Sequence, residues 1–181
     1  VPPWMQRLTD LIGDDGTARG QHAPYAFARQ RRSLVLTRLP IATGPWRGLG
    51  AGPNVLAIEA AMDEAARKAR MDPVAFRLRH LAQAPAGEHL LHPERLADVL
   101  RRAAARAATV PLPHGHARGV ACGVYKGRSV AAAVAEVRLD DDAIRVTRLW
   151  CSHDCGAMVD ADGVRAQVEG NLIWSLGLVL G

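Results

Sequence analysis

Apolar positions change their spacing along this chain, and the changes divide it into elements. From Asn54 to Met71, Val55, Ile58, Met62, Ala65, Ala66 and Ala69 recur at three- and four-residue intervals, with acids and bases opposite. That is the pattern of a helix buried on one face, with Asn54 as its N-cap. The segment "MDPVAFRLRHLA" begins a second helix, with Asp72 as N-cap and Pro73 at the first helical position. Residues 54–83 therefore read as an antiparallel helix hairpin. "HPERLADVLRRAAARAA", 92–108, is a third helix, again opened by a proline.

Beyond "PLPHGH" the period falls to two. "RGVACGVY", "SVAAAVAEVRL" and "AIRVTRLWC" read as strands of a β-meander, with the "DDD" stretch turning the second into the third. A loop, "HDCGAMVDADG", leads to a final helix starting at Asp162 or Gly163. Its second half is wholly apolar and is expected to enter the core. Toward the N-terminus, residues 2–12 suit a short helix stopped by Gly13. Residues 32–39, "RSLVLTRL", alternate as a strand does, and "GPWRGLGAGPN", 44–54, forms a glycine-rich loop. The expected fold class is α+β, one partial domain over 1–181. It comprises an N-terminal helix, strand and loop (1–53), a helical segment (54–108), and strands with a buried C-terminal helix (117–181).

Composition narrows the function. Of the 181 residues, 49% are hydrophobic and 23% charged, as in an ordinary globular domain, and no run is long enough to span a membrane. The net charge of +5 comes from arginines interleaved with acids on helices, without interspersed aromatics. That is a solvated surface, and nucleic acid is not an expected partner. Three cysteines make no disulfide framework. Cys151 and Cys155 with His153 between them lack a fourth zinc ligand, so they read as buried thiols and no metal site is assigned. His89, His92, His114 and His116 read as surface linker histidines. No nucleophile elbow, phosphate-binding loop or dinucleotide fingerprint is present.

The loop at 44–54 is the feature that composition does not explain. Its four glycines allow close backbone approach around Trp46 and Arg47. It is followed by a helix with Glu59, Asp63 and Glu64, then by "DPVAFR" (72–77), "VAAAVAEV", "CSHDCG" (151–156) and "RAQVEG" (165–170). In this order, over residues 23–181, these motifs resemble the molybdenum-binding large subunit of the xanthine oxidase family of molybdenum hydroxylases. The branch they match is that of isoquinoline 1-oxidoreductase beta subunits and bacterial aldehyde dehydrogenases.

The resemblance implies a subunit that oxidises N-heterocycles or aldehydes, with water as oxygen source. It implies a molybdopterin cofactor in its cytosine dinucleotide form, and electrons leaving through a small iron–sulfur [2Fe-2S] partner chain. By the same resemblance Trp46, Arg47 and Gly48 approach the molybdenum end of the cofactor, Leu49 lines the substrate pocket, and Gln167 contacts the pterin. The family's catalytic glutamate, in a glycine-rich segment near the C-terminus, has no match here and is expected beyond Gly181. Both ends read as cut, since the chain opens on Val1 and stops within an apolar run. The chain by itself is therefore expected to hold no cofactor and turn over nothing. The alternative is a non-catalytic interaction module that kept the scaffold and lost the site.

Overall fold

The computed structural model describes residues 15–35, 37, 40–41, 44, 46–84 and 92–180. The elements are α1 (Asp15–Ala18), α2 (Ala51–Lys68), α3 (Pro73–Ala82), α4 (Pro93–Ala108), β1 (His116–Tyr125), β2 (Ser129–Asp140), β3 (Ala143–Asp154) and α5 (Ala161–Leu180). The strands form one antiparallel sheet in the order β1-β2-β3. The fold is α+β, with the helix hairpin and meander that the periodicity indicates.

Local chemistry sets the joints. At the end of α2, Arg70 takes a left-handed φ of 53° and the Met71 N–H reaches back to the Ala66 carbonyl at 3.0 Å. This is a Schellman closure with arginine where glycine is usual. Asp72 then caps α3, accepting the Ala75 N–H at 2.8 Å ahead of Pro73. The two helices are thus joined by a turn with no slack. Between β2 and β3, Asp141 and Asp142 have φ of 46° and 68°, the two left-handed residues that a tight hairpin turn requires.

The sheet packs one face on α4. Val130, Ala132, Val134 and Glu136 of β2 are buried in alternation, and Leu96, Val99, Leu100 and Ala103 of α4 are equally buried. Arg118 clamps the C-terminal end of α4 by donating to the carbonyls of Ala107 (2.9 Å) and Val110 (2.8 Å). At the other end of α4, Arg95 donates to the Asp154 carboxylate at 2.7 Å and to the Arg128 carbonyl at 3.0 Å.

Beneath α2 and α3 lies a buried polar cluster. Arg77 of α3 is wholly buried and donates from Nε to Glu59 Oε2 (2.9 Å) and from Nη2 to the Glu59 carbonyl (3.0 Å). The Tyr25 hydroxyl donates to Glu59 Oε1 at 2.7 Å, and the Cys122 N–H donates to Oε2 at 2.8 Å. Because the tyrosine's only hydroxyl proton serves Glu59, the Cys122 thiol 3.2 Å away is the donor to Tyr25 Oη. Burial, with the Glu59 charge beside it, pushes that thiol up to about 12. Burial first, and then the Cys122 and Glu59 charges, push the Tyr25 phenol up as well. Among the described residues every buried side-chain nitrogen and oxygen has a partner.

Several expectations need correction. Helix α2 starts at Ala51 rather than at Asn54, because Pro53 sits in the first turn, where its missing N–H would have no helical partner anyway. Gly50 is the N-cap, and the Asn54 side chain has a different task. Of 32–39, the described residues 32–35 and 37 form no strand. Leu34 and Val35 are 44% and 82% exposed, and alternation makes a strand only where a neighbour pairs with it. Helix α5 begins one residue early, at Ala161, capped by the Asp160 carboxylate on the Gly163 N–H (3.0 Å).

The C-terminal helix is also not buried: no residue of α5 is, and Ile173 is 68% exposed. The second half of α5 is apolar on all sides and has no stripe to seat on one neighbour, and among the described residues the helix meets the sheet chiefly at β3. His116 is not a linker residue. It opens β1, with Nδ1 3.4 Å from Glu136. The helix expected over 2–12 and His89 lie outside the described residues.

Removing one partner of the buried pair strands the other charge in the interior. Arg77→Met should lower unfolding free energy by about 3–5 kcal/mol, read as a shifted urea midpoint at unchanged slope. An unshifted midpoint would contradict the role given to the pair.

Candidate functional site

The glycine-rich loop and α5 are far apart in sequence and meet in space. Arg47 Nη2 donates to Gln167 Oε1 at 2.8 Å, across 120 positions. One residue before Arg47, the Trp46 ring lies 5.1 Å from that of Trp174, tilted by 36°. Arg47, Ala166, Gln167, Gly170, Asn171 and Trp174 line a cleft of about 360 Å³.

The loop is a closed turn. The Leu49 N–H donates to the Trp46 carbonyl (2.9 Å) and the Ala51 N–H to that of Gly48 (3.1 Å). Gly48 and Leu49 have φ of 85° and 55°. A left-handed conformation is free for glycine but costs about 1–2 kcal/mol for leucine, so surrounding contacts must hold Leu49 there. A Cβ placed on Gly48 or on Gly170 would meet nothing within 4 Å, so the backbone is open to an approaching group at both. Helix α2 follows at once, with no side-chain cap and no acid in its first turn. Its first donors are taken within the protein, the Gly50 N–H by the Gly16 carbonyl and the Ala51 N–H by that of Gly48, and Pro53 has no N–H.

This donor set suits an anionic, oxygen-rich and flat hydrogen-bonding group. The guanidinium has fixed donors beyond the one that Gln167 takes. Because Gln167 Oε1 accepts from Arg47, its amide nitrogen is left to donate. Of the residues singled out from sequence, Trp46, Arg47 and Gln167 are brought together, and Gly48 lies within the same turn. Leu49 is partly buried and lines neither this cleft nor the one below. Sequence reasoning misses Asn171 and Trp174, which look there like ordinary members of an apolar helix.

A second cleft, also about 360 Å³, lies between α5 and the outer sheet face. Ala131, Ala133, Cys151 and His153 line it from the strands, Val55 from α2, and Leu172 from α5. Burial pushes the Cys151 thiol up. Cys122, Cys151 and Cys155 are free. Among the described residues no three His, Cys, Asp or Glu side chains are arranged to hold a metal ion, and no helix is long and apolar enough to cross a membrane.

The two buried carboxylates, Glu59 and Glu136, are engaged by protein donors. The Glu59 carboxylate is taken by Tyr25, Arg77 and the Cys122 N–H. Glu136 accepts both Arg118 Nε (3.1 Å) and Nη2 (2.7 Å) on Oε2, and Thr147 Oγ1 (3.0 Å) on Oε1. Thr147 is free to do so because it is the extra residue of a bulge, with Glu136 paired to Arg148 and Val137 to Val146. Burial pushes the Glu136 carboxyl up, but the hydrogen bonds from Arg118 and Thr147 and the Arg148 charge outweigh it, leaving the carboxyl below the usual range. Asp154, at the head of the loop into α5, is held well below its usual value, chiefly by Arg95 and then by the Gly156 N–H.

Two sequence families, both described as "Molybdopterin cofactor-binding domain", match residues 56–181 and 17–81. The beta chain of isoquinoline 1-oxidoreductase from Brevundimonas diminuta is 32% identical over 170 residues, covering 92% of this chain and 21% of that protein. A nicotinate dehydrogenase subunit of Pseudomonas putida is 32% identical over 177 residues (87% and 14%). Membrane-bound aldehyde dehydrogenase [pyrroloquinoline-quinone] of Gluconacetobacter polyoxogenes is 32% identical over 179 residues (90% and 23%). The chain thus spans between 14% and 23% of the length of these relatives.

A group with a depressed folded value stabilises above its unfolded value, and that stability fades as pH falls through the folded one. The Asp154–Arg95 contact should therefore be complete above the ordinary aspartate value of 3.8 and lost in stronger acid. Asp154→Asn should flatten the fall in urea midpoint between about pH 5 and pH 2. An unchanged slope would refute the assignment.

Proposed function

Since the chain belongs to the molybdopterin cofactor-binding domains of the xanthine oxidase family of molybdenum hydroxylases, we propose that the 46–50 loop and the first half of α5 form one wall of the cofactor site of a molybdenum-dependent oxidoreductase. The observation that carries this reading is the Arg47–Gln167 hydrogen bond beside open glycine backbone. When bound, the cofactor supplies the redox centre that removes two electrons as a substrate C–H becomes C–O, with water as the source of oxygen. The residues of this chain bind and orient it. Arg47 supplies charge and fixed donors toward its oxygen-rich end, and Gln167 offers its amide to the pterin edge. The Gly48 backbone lets the group approach, while Trp46, braced on Trp174, limits the loop's motion.

The substrate class we propose is an aromatic N-heterocycle or an aldehyde, in keeping with the names of the three relatives. Leu49 is proposed as the apolar residue facing it. The same proposal includes the cytosine dinucleotide form of the cofactor and a small partner chain carrying [2Fe-2S] clusters. Two relatives are named as subunits, which fits an electron-accepting partner chain.

The proton acceptor is not proposed among Glu59, Glu136 or Glu169. A base needs a free lone pair aimed at its substrate; Glu59 and Glu136 have theirs taken by protein donors, and the exposed Glu169 stands on the helix α5 rather than on a loop that would present it. This chain is accordingly one portion of a catalytic subunit, and the exposed apolar surface of α5 suits a helix that further protein covers. Occupied carboxylates also fit the second reading, a scaffold module without catalysis.

Molybdenum content separates the two. In the purified subunit, Arg47→Ala should lower molybdenum per chain about tenfold, the scale of one lost charge-assisted hydrogen bond. Gln167→Ala should lower it less. Wild-type protein free of molybdenum after expression with cofactor supply would favour the scaffold reading, and an unaffected Arg47→Ala would remove Arg47 from the site.

A further inference from the structure

The loop's base is locked from behind by a contact that the cofactor reading does not require. Helix α1 is a single turn and should end in unsatisfied carbonyls. Here each carbonyl from Gly16 to Arg19 has a donor. Gly16 accepts the Gly50 N–H (2.8 Å), Thr17 accepts Asn54 Nδ2 (3.0 Å), Ala18 accepts the Gln21 N–H (3.2 Å), and Arg19 accepts Asn54 Nδ2 again (2.9 Å). A carboxamide is the right group for this task. Its NH₂ fork carries two donors at fixed separation, one for each carbonyl. Aspartate has the same outline but no donor, and it would set a charged oxygen against two carbonyl oxygens.

Sterics make the seat specific to glycine on both sides. A Cβ on Gly50 would lie 2.1 Å from the Thr17 carbonyl oxygen, and one on Gly20 would lie 2.7 Å from Ala51 Cα. Gly20 also has a φ of 79°. Neither place tolerates a side chain without backbone movement.

We propose that Asn54 is a positioning residue for Arg47. Its carboxamide ties the 16–20 turn to the base of the 46–50 loop and so sets where the guanidinium stands relative to Gln167. Because residues 46–51 form one closed turn, with Leu49 held at positive φ, displacement at Gly50 is carried to Arg47. The inference rests on the reading of Arg47 as a cofactor contact.

The test uses the native subunit with its cofactor supply intact and two readouts. The first is hydrogen–deuterium exchange of the Gly50 amide, with the Val134 amide in β2 as control for global folding. The second is molybdenum per chain. In Asn54→Ala and Asn54→Asp, Gly50 should exchange about tenfold faster, Val134 should be unchanged, and molybdenum content should fall severalfold. Gly50→Ala reaches the same seat by another route and should behave alike, which keeps the test sound if an Asn54 variant fails to fold. Unchanged Gly50 exchange in folded Asn54→Ala overturns the clamp. Faster exchange with full molybdenum content, while Arg47→Ala loses its molybdenum, overturns the positioning role. Full molybdenum content in Arg47→Ala overturns the reading of Arg47 itself, and leaves the exchange result to judge the clamp alone.

Discussion

The buried pair of Glu59 and Arg77 holds four parts of the chain to one point. The carboxylate of Glu59 accepts from α3, from the Tyr25 segment and from the backbone of β1, while Arg77 ties back to α2. A charge removed from water to this depth is tolerated only when each of its lone pairs and protons is met. That demand fixes the rotation of α2 about its axis more tightly than apolar packing would, because a helix face of alanines and a methionine can slide. Once α2 is fixed, so is its N-terminus, and the N-terminus carries the loop with Trp46 and Arg47.

The second support is the α4–sheet layer, fastened by arginines at both ends. Arg118 binds the α4 C-terminal carbonyls and Glu136 together, with its guanidinium 4.9 Å from the centroid of Trp150. Arg95 binds Asp154, where β3 gives way to the loop before α5. Both halves of the candidate site therefore issue from elements with polar anchors, a buried one at Glu59–Arg77 and a half-exposed one at Arg95–Asp154. The loop hangs from α2 and its Glu59–Arg77 cluster, and α5 follows from β3 and its Asp154 tie. The site lies where two anchored but otherwise independent segments meet, and Arg47 and Gln167 are the side chains that close the distance.

What can be read in the sequence is what depends on period and caps. The three strands announce themselves by alternation, and α3 and α4 by Asp72–Pro73 and by Pro93. Trp46, Arg47 and Gln167 are legible because their motifs stand in a distinctive order. Pairing and burial are not legible. Among the described residues, 32–35 and 37 of the alternating run have no neighbour that would make them a strand, and nothing local in the sequence reveals a neighbour. The apolar end of α5 suggests burial because hydrophobicity says what prefers the interior, not what is present to cover it. Asn54 looks like a cap from its position near a helix start. Its actual partners, the carbonyls of Thr17 and Arg19, come from a turn more than thirty residues earlier. Arg77 looks like one more surface arginine, and only the fold shows that it faces Glu59.

On the proposed function, Arg47 and Gln167 serve one bound group from two sides. The most direct measurement is the crystal structure of the cofactor-loaded subunit. The Arg47 guanidinium and the Gln167 amide should both lie within hydrogen-bond distance of the molybdopterin, with Gly48 backbone against it. A cofactor bound away from the 46–50 loop, with the Arg47–Gln167 hydrogen bond intact and facing solvent, would contradict that proposal.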